Sequence, residues 1–133
     1  MILEIKEGDF FLQNYSVTKN IYTQFINIFK DRNQLHTDKV FATSKLFDDR
    51  VMHGAILAGF LSHFIGECLP IKNVLVQSYK LTFIKPVYMN DALILKTSIT
   101  GIFPSVKTVE FKYKFINQVN QTVAKGNINI SII

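Results

Sequence analysis

The stretch that decides the fold is His53-Gly54-Ala55-Ile56-Leu57-Ala58-Gly59-Phe60-Leu61-Ser62-His63-Phe64-Ile65-Gly66-Glu67-Cys68-Leu69-Pro70. From Ala55 to Leu69 it is apolar nearly all round, and Ala58, Gly59, Ser62 and Gly66 keep it slim. The run is too long for an ordinary strand, so its length argues for a helix. A helix without a polar face must be buried on every side. Pro70 stops it, because a proline ring cannot continue the hydrogen-bond ladder.

Working outward on the C-terminal side, everything reads as strand. Val74 to Ile84, Ala92 to Phe103, Val106 to Ile116 and Val123 to Ile132 are rich in Val, Ile, Phe, Tyr and Thr. In the third of these, Lys107, Val109, Phe111, Tyr113 and Phe115 share one parity, and Thr108, Glu110, Lys112 and Lys114 the other, as in a half-wet antiparallel strand. Gly101 to Ser105 and Asn117 to Gln121 make hairpin connections, and Tyr88 to Asp91 a turn after Pro86. Four long antiparallel strands that follow one wholly apolar helix can bury it by curling around it. The expected class is α+β: a hot-dog fold, a curved sheet around a long central helix.

On the N-terminal side, Tyr15 to Lys19 reads as a short strand. Ile21, Phe25, Ile28 and Phe29 then recur at helical spacing, with Asn20 as the expected N-cap. Asp31-Arg32-Asn33-Gln34 breaks that helix with turn-favouring residues. A short helical turn follows at Asp38 to Thr43, then a polar loop through Asp48, Asp49 and Arg50. The segment overhangs between the first helix and the buried one.

The chain of 133 residues suits one domain, 1–133, and with 48% hydrophobic residues and 12 Phe it is built to fold. There is no repeat or low-complexity stretch. Glu4, Lys6, Glu7 and Asp9 in the segment Met1 to Phe10 are incompatible with the apolar core of a signal peptide. The apolar run Ala55 to Ile65 falls short of the ~20 residues a membrane span needs. A lone cysteine, Cys68, cannot form an internal disulfide, and the expected setting is cytoplasmic. The net charge of +5 comes from Lys and Arg dispersed along the chain without a basic run. That reads as a solvated surface, with no nucleic acid or membrane partner expected, and as mild attraction for a phosphate-bearing substrate.

Two features carry chemistry. Asp31-Arg32-Asn33-Gln34-Leu35-His36 has the form Asp-x-Asn-x-x-His. A carboxylate and an imidazole in one loop can converge on a water molecule, each proton-handling role contributing ~10²–10⁴-fold. A purely structural loop is the plain alternative. Met52-His53-Gly54-Ala55 opens the buried helix, where first-turn amides are unpaired and meet the positive end of the helix dipole. Gly54 allows a substrate oxygen close to its N–H, an oxyanion site for a thioester enolate; the alternative is that it only permits tight packing.

Together, in this order, these features resemble the MaoC-like, R-specific enoyl-CoA hydratases. The resemblance runs from about Val17 to Val119. It rests on Asp31 to Asp38, Phe41-Ala42, Arg50 to Gly54, and Leu81 to Asp91. Gln34 departs from the family's usual proline. The resemblance implies reversible addition of water to a trans-2-enoyl thioester to give the (R)-3-hydroxyacyl thioester. Asp31 and His36 would clamp the water and the Gly54 amide would receive the thioester oxygen. Asn33 and His53 would orient the loop or bind substrate. No cofactor or metal is implied, CoA or an acyl carrier being part of the substrate, and the histidines lack the spacing of a zinc site. Neighbouring readings are a 3-hydroxyacyl-carrier-protein dehydratase, a thioesterase, or a non-catalytic acyl-binding module. His63 and Glu67, a helical turn apart, could pair; Asp48 and Asp49 read as solvated, and Cys68 as a packed thiol. An open sheet edge and abundant Phe and Ile imply at least a homodimer.

Overall fold

A computed structural model describes residues 4–133; the first three residues of the charged N-terminal segment lie outside it. Strand β1 (Phe10–Tyr15) leads into α1 (Lys19–Phe29), two short helices α2 (Gln34–Thr37) and α3 (Lys39–Ser44), and the central helix α4 (Ala55–His63). Strands β2 (Val74–Phe83), β3 (Leu93–Phe103), β4 (Thr108–Ile116) and β5 (Thr122–Ile132) follow. They form one antiparallel sheet in the order β1-β3-β4-β5-β2. The sheet curls around α4, which is the hot-dog fold.

The core is the meeting of α4 with the inner parity of the sheet. Leu57, Leu61, Phe64 and Ile65 from the helix are buried against Leu95, Val109, Phe111, Phe115, Ile128 and Ile130. Each such side chain contributes about 1.5–3 kcal/mol by leaving water. The sheet covers one side of α4 only: Ala55, Gly59 and Ser62, with His63 at its end, are exposed on the other, so the helix is not buried on every side as its apolar sequence predicts. Among the described residues, no helix is long and apolar enough to cross a membrane.

The last four strands fall within a residue or two of the sequence expectation, since alternation marks them strongly. The N-terminal third differs. The first strand lies at Phe10–Tyr15, not at Tyr15–Lys19, and it pairs with β3 from Phe10↔Ser98 to Tyr15↔Leu93. The helix begins one residue before Asn20. Thr18 is its N-cap: extended in backbone, it accepts the Ile21 N–H at 3.2 Å, while Asn20 Oδ1 is taken by Gln24. The expected apolar face of α1 is only partly used, for Tyr22 is the buried residue and Ile28 and Phe29 are exposed. Helix α4 stops being α-helical at His63. A wider π-turn, Phe64–Cys68, completes the run to Leu69 and keeps Phe64 and Ile65 both inward. The expected His63–Glu67 pair does not form; His63 Nδ1 is instead 2.8 Å from the Tyr15 hydroxyl. Asp49 is less free than expected, with Lys39 and Arg50 each 3.9 Å away.

One glycine is dictated by the sheet. Tyr113 on β4 reaches across β5 at Gly126 and donates from its hydroxyl to the Lys80 carbonyl of β2 at 2.6 Å. A Cβ at Gly126 would lie 1.7 Å from that carbonyl oxygen, so any side chain there forces backbone apart. Gly126→Ala is therefore expected to cost about 1–3 kcal/mol, as overpacking does, lowering the thermal midpoint by several degrees. An unchanged melting curve would show that β2 yields without strain.

Candidate functional site

The site forms where the α1–α4 connection folds back over the start of α4. Asn33 caps α2, its Oδ1 accepting the Leu35 N–H at 2.9 Å, and the Asp31 carboxylate accepts the Asn33 N–H at 3.2 Å. These local bonds make the loop a defined shape and put His36 in the first turns after it. Leu35 and Val51 then lace the loop to the strand-like approach of α4, the Val51 N–H donating to the Leu35 carbonyl at 3.0 Å. One residue on, the Met52 N–H donates to the Val87 carbonyl at 2.8 Å, which ties the helix start to the β2–β3 connection.

Both histidines have their proton placement set by backbone. His36 Nδ1–H donates to the Val51 carbonyl at 2.7 Å. His53 Nε2–H donates to the Asp31 carbonyl at 2.9 Å. In the neutral ring each therefore keeps a lone pair on the other nitrogen. The two rings lie against each other with centroids 3.9 Å apart and planes tilted by 31°. His36 Nε2 faces the Asp31 carboxylate at 3.9 Å, too long for a direct hydrogen bond. A water oxygen about 2.8 Å from each would fill that gap. The Asp31 side chain is half exposed and that of His36 is 17% exposed, so the pair stands at a boundary between solvent and protein.

His53 is buried, and its Nδ1 has no hydrogen-bond partner among the described residues. Burial holds its pKa below the ordinary histidine value; the bond to the Asp31 carbonyl opposes that and the neighbouring His36 adds to it. Protonation would place a charged N–H in that dry position, so His53 stays neutral and acts as a prop for Asp31.

Gly54 is the first residue at the α4 N-terminus, and its N–H has no acceptor among the described residues. It lines an apolar cleft of about 350 Å³ with His36, His53, Leu57, Phe83 and Val87. The ring of Phe83 lies over it: a Cβ on Gly54 would come within 2.5 Å of that ring. Phe83 is 54% exposed on the edge strand β2, so the ring is backed by little that would stop it swinging aside. Lys85 offers a cation on the same cleft.

The structure thus gathers Asp31, Asn33, His36, His53 and Gly54 in one place, as the sequence order alone could not. One donor atom each from Asp31, His36 and His53 lies within 4.8 Å of the others, a cluster that could hold a cation and that the histidine spacing did not suggest. Residues missed by sequence reasoning are Tyr22 and Phe83. Tyr22 donates from its hydroxyl to the His36 carbonyl, beneath the guanidinium of Arg50. Only its place within an apolar helical face hinted at a buried role. Phe83 read as one more strand residue.

A curved antiparallel sheet wrapped on a central helix, with a carboxylate and an imidazole gathered at the helix start, makes this a hot-dog protein. The model of the MaoC like domain matches residues 6–122, and the chain belongs to that family. An (R)-specific enoyl-CoA hydratase of Rhodospirillum rubrum is 32% identical over 113 residues, covering 82% of this chain and 76% of its own length. Among solved structures, the (R)-hydratase from A. caviae involved in PHA biosynthesis superposes with a TM-score of 0.88 at 21% identity, covering 97% of this chain and 98% of its own. An R-hydratase of Pseudomonas aeruginosa in unliganded form reaches 0.87 at 24% identity, covering 98% and 83%.

The lowered pKa of His53 has a sign that can be measured. A histidine held neutral by the fold binds its proton more readily when unfolded, so stability is full above the unfolded value of about 6.5 and falls as pH drops through it. His53→Asn is expected to flatten the fall in thermal midpoint between about pH 7.5 and 5.5. Equal slopes in the two proteins would mean that His53 does not titrate with unfolding.

Proposed function

We propose that the protein is a hydro-lyase that adds water reversibly to a trans-2-enoyl thioester, an enoyl-CoA, giving the (R)-3-hydroxyacyl thioester. The observation that carries this is the placing of Asp31 and His36 3.9 Å apart beside an apolar cleft that also holds the free Gly54 N–H. The (R)-specific hydratases among its relatives support the same reaction and its stereochemistry.

The chemistry follows from those positions. Water held between Asp31 and His36 gives its oxygen to C3 of the enoyl group. The C2–C3 π electrons move toward the thioester, whose oxygen becomes an enolate and accepts a hydrogen bond from the Gly54 N–H. The proton released from water passes through the pair to C2, and the thioester carbonyl is restored. Asp31 and His36 act as a coupled unit in that transfer. The enolate is stabilised by the Gly54 amide and the positive end of α4, a donor whose loss costs ~10²–10³ in rate in comparable sites. The thioester is its own electron sink, so no metal or prosthetic group enters the scheme. The acyl chain lies along the cleft toward Leu57, and Lys85 meets the phosphates of the carrier.

A carrier-protein dehydratase that pairs a loop His with a Glu on the central helix fits less well. Glu67 is exposed on the π-turn after α4, while the cleft lies at the helix start. The working form is a homodimer. Strand β2 is an open edge that carries exposed Leu75, Tyr79 and Phe83, and a second copy pairing there would cover them and close the cleft beside Phe83.

Asp31→Asn and His36→Gln should each lower turnover of crotonyl-CoA at least ~10²-fold with the melting curve retained. An S-specific 3-hydroxyacyl-CoA dehydrogenase coupled to the wild-type reaction should yield no NADH. Near-normal turnover in a variant removes that residue from the mechanism, and a strong NADH signal overturns the R assignment. Light scattering of active protein should report about twice the chain mass of 15.3 kDa; the monomer mass would refute the dimer.

A further inference from the structure

The outer face of the sheet carries a pattern that the linear sequence hides. Lys96 on β3 is directly opposite Lys114 on β4, and Lys114 is directly opposite Lys125 on β5. Three ammonium groups therefore stand in one cross-strand row, on strands about 4.8 Å apart. In the adjoining row, Lys112 and Lys80 flank Asn127. All five point away from the core, and among the described residues none is within ion-pair distance of a carboxylate. The one acid on this face, Glu110, sits a row further on, its carboxylate against Gly101. This patch accounts for most of the chain's net charge of +5.

Like charges directly opposite in a sheet are destabilising, so the row weakens the fold that carries it. Solubility alone would be served as well by mixed signs. The patch continues in the same two rows onto β1, where Leu12 opposes Lys96 and Phe10 opposes Ser98, both apolar side chains more than half exposed. A cationic band beside an apolar step is complementary to an amphipathic helix with acidic residues on one flank.

We propose that this face docks an acidic protein partner through such a helix, its carboxylates on Lys80, Lys96, Lys112, Lys114 and Lys125 and its apolar edge on Phe10 and Leu12. A second copy of this chain does not fit, because the patch would meet its own charge. The sheet is convex here and β4 is its middle strand, so a bilayer would touch the lysines first while Phe10 and Leu12 on the edge strand curve away from it. A single-stranded nucleic acid needs aromatic side chains interleaved with the cations so that successive bases stack, and here the exposed aromatic, Phe10, stands at the end of the rows. The inference is independent of the reading of the cleft.

The test uses the full chain and a synthetic helical peptide with glutamates along one flank and leucines beside them, titrated by fluorescence anisotropy at low salt. The wild type should bind, and the Lys96→Gln/Lys114→Gln/Lys125→Gln variant should bind at least about tenfold more weakly, with crotonyl-CoA turnover unchanged. Lys6→Gln/Lys19→Gln, which removes charge elsewhere, should bind like wild type. Lys114→Gln alone should raise the thermal midpoint at low salt, with the gap closing at about 1 M salt. Tighter binding to phosphatidylglycerol vesicles or to oligo-dT than to the peptide overturns the proposal, as does equal weakening by the two multiple variants. A midpoint for Lys114→Gln at or below wild type would remove the repulsion on which the inference stands.

Discussion

Everything in this protein depends on the packing of α4 against the sheet. The helix buries Ile56, Leu57, Phe60 and Leu61 against the five-stranded sheet and exposes a slim face of Ala55, Gly59 and Ser62. That constraint fixes where the helix begins. Its first turn emerges at the rim of that contact, and the residues there, His53 and Gly54, are held by the Met52–Val87 hydrogen bond from the neighbouring connection. The unpaired amides of that turn are thus delivered to a cleft as a by-product of core packing.

On this fixed start, the polar architecture is built from backbone carbonyls rather than side-chain pairs. The Val51 and Asp31 carbonyls each accept a hydrogen bond from a histidine N–H, so both rings have a defined tautomer and orientation. Carbonyls carry no charge and do not titrate, which makes them steady orienting groups across the pH range. Tyr22 adds a third bond of this kind, to the carbonyl of His36. The consequence is that the Asp31 carboxylate and His36 Nε2 remain unpaired with each other and free to share a small molecule. A direct ion pair would have quenched both.

The periphery is less settled. Ile28 and Phe29 on α1, Leu75, Tyr79 and Phe83 on β2, and Phe10 and Leu12 on β1 are all large, apolar and exposed. Five of these seven, Leu75, Tyr79, Phe83, Phe10 and Leu12, mark the two sheet edges. A chain that buries its own core completely and still leaves such residues at its edges is shaped for contact with other surfaces.

The sequence by itself determined α4 and the four later strands, and it marked the Asp31–His36 loop and the Gly54 helix start as two separate candidates for chemistry. Each of those rests on a local signal: period, composition, or a short motif with its own turn chemistry. It misplaced β1 by five residues, because Phe10–Tyr15 has no clean alternation and is a strand only through pairing with β3. It chose Asn20 over Thr18 as the cap, since both residue types can do that work and only the backbone conformation decides. It also treated the lysines as dispersed. Lys96, Lys114 and Lys125 are far apart along the chain and alternate with core residues, so no run exists to be read. Strand register made them neighbours, just as folding set His53 beneath Asp31 and Tyr22 beneath His36. Local interactions leave their mark in the order of residues; contacts across strands and between distant loops exist only once the core has fixed which backbone lies beside which.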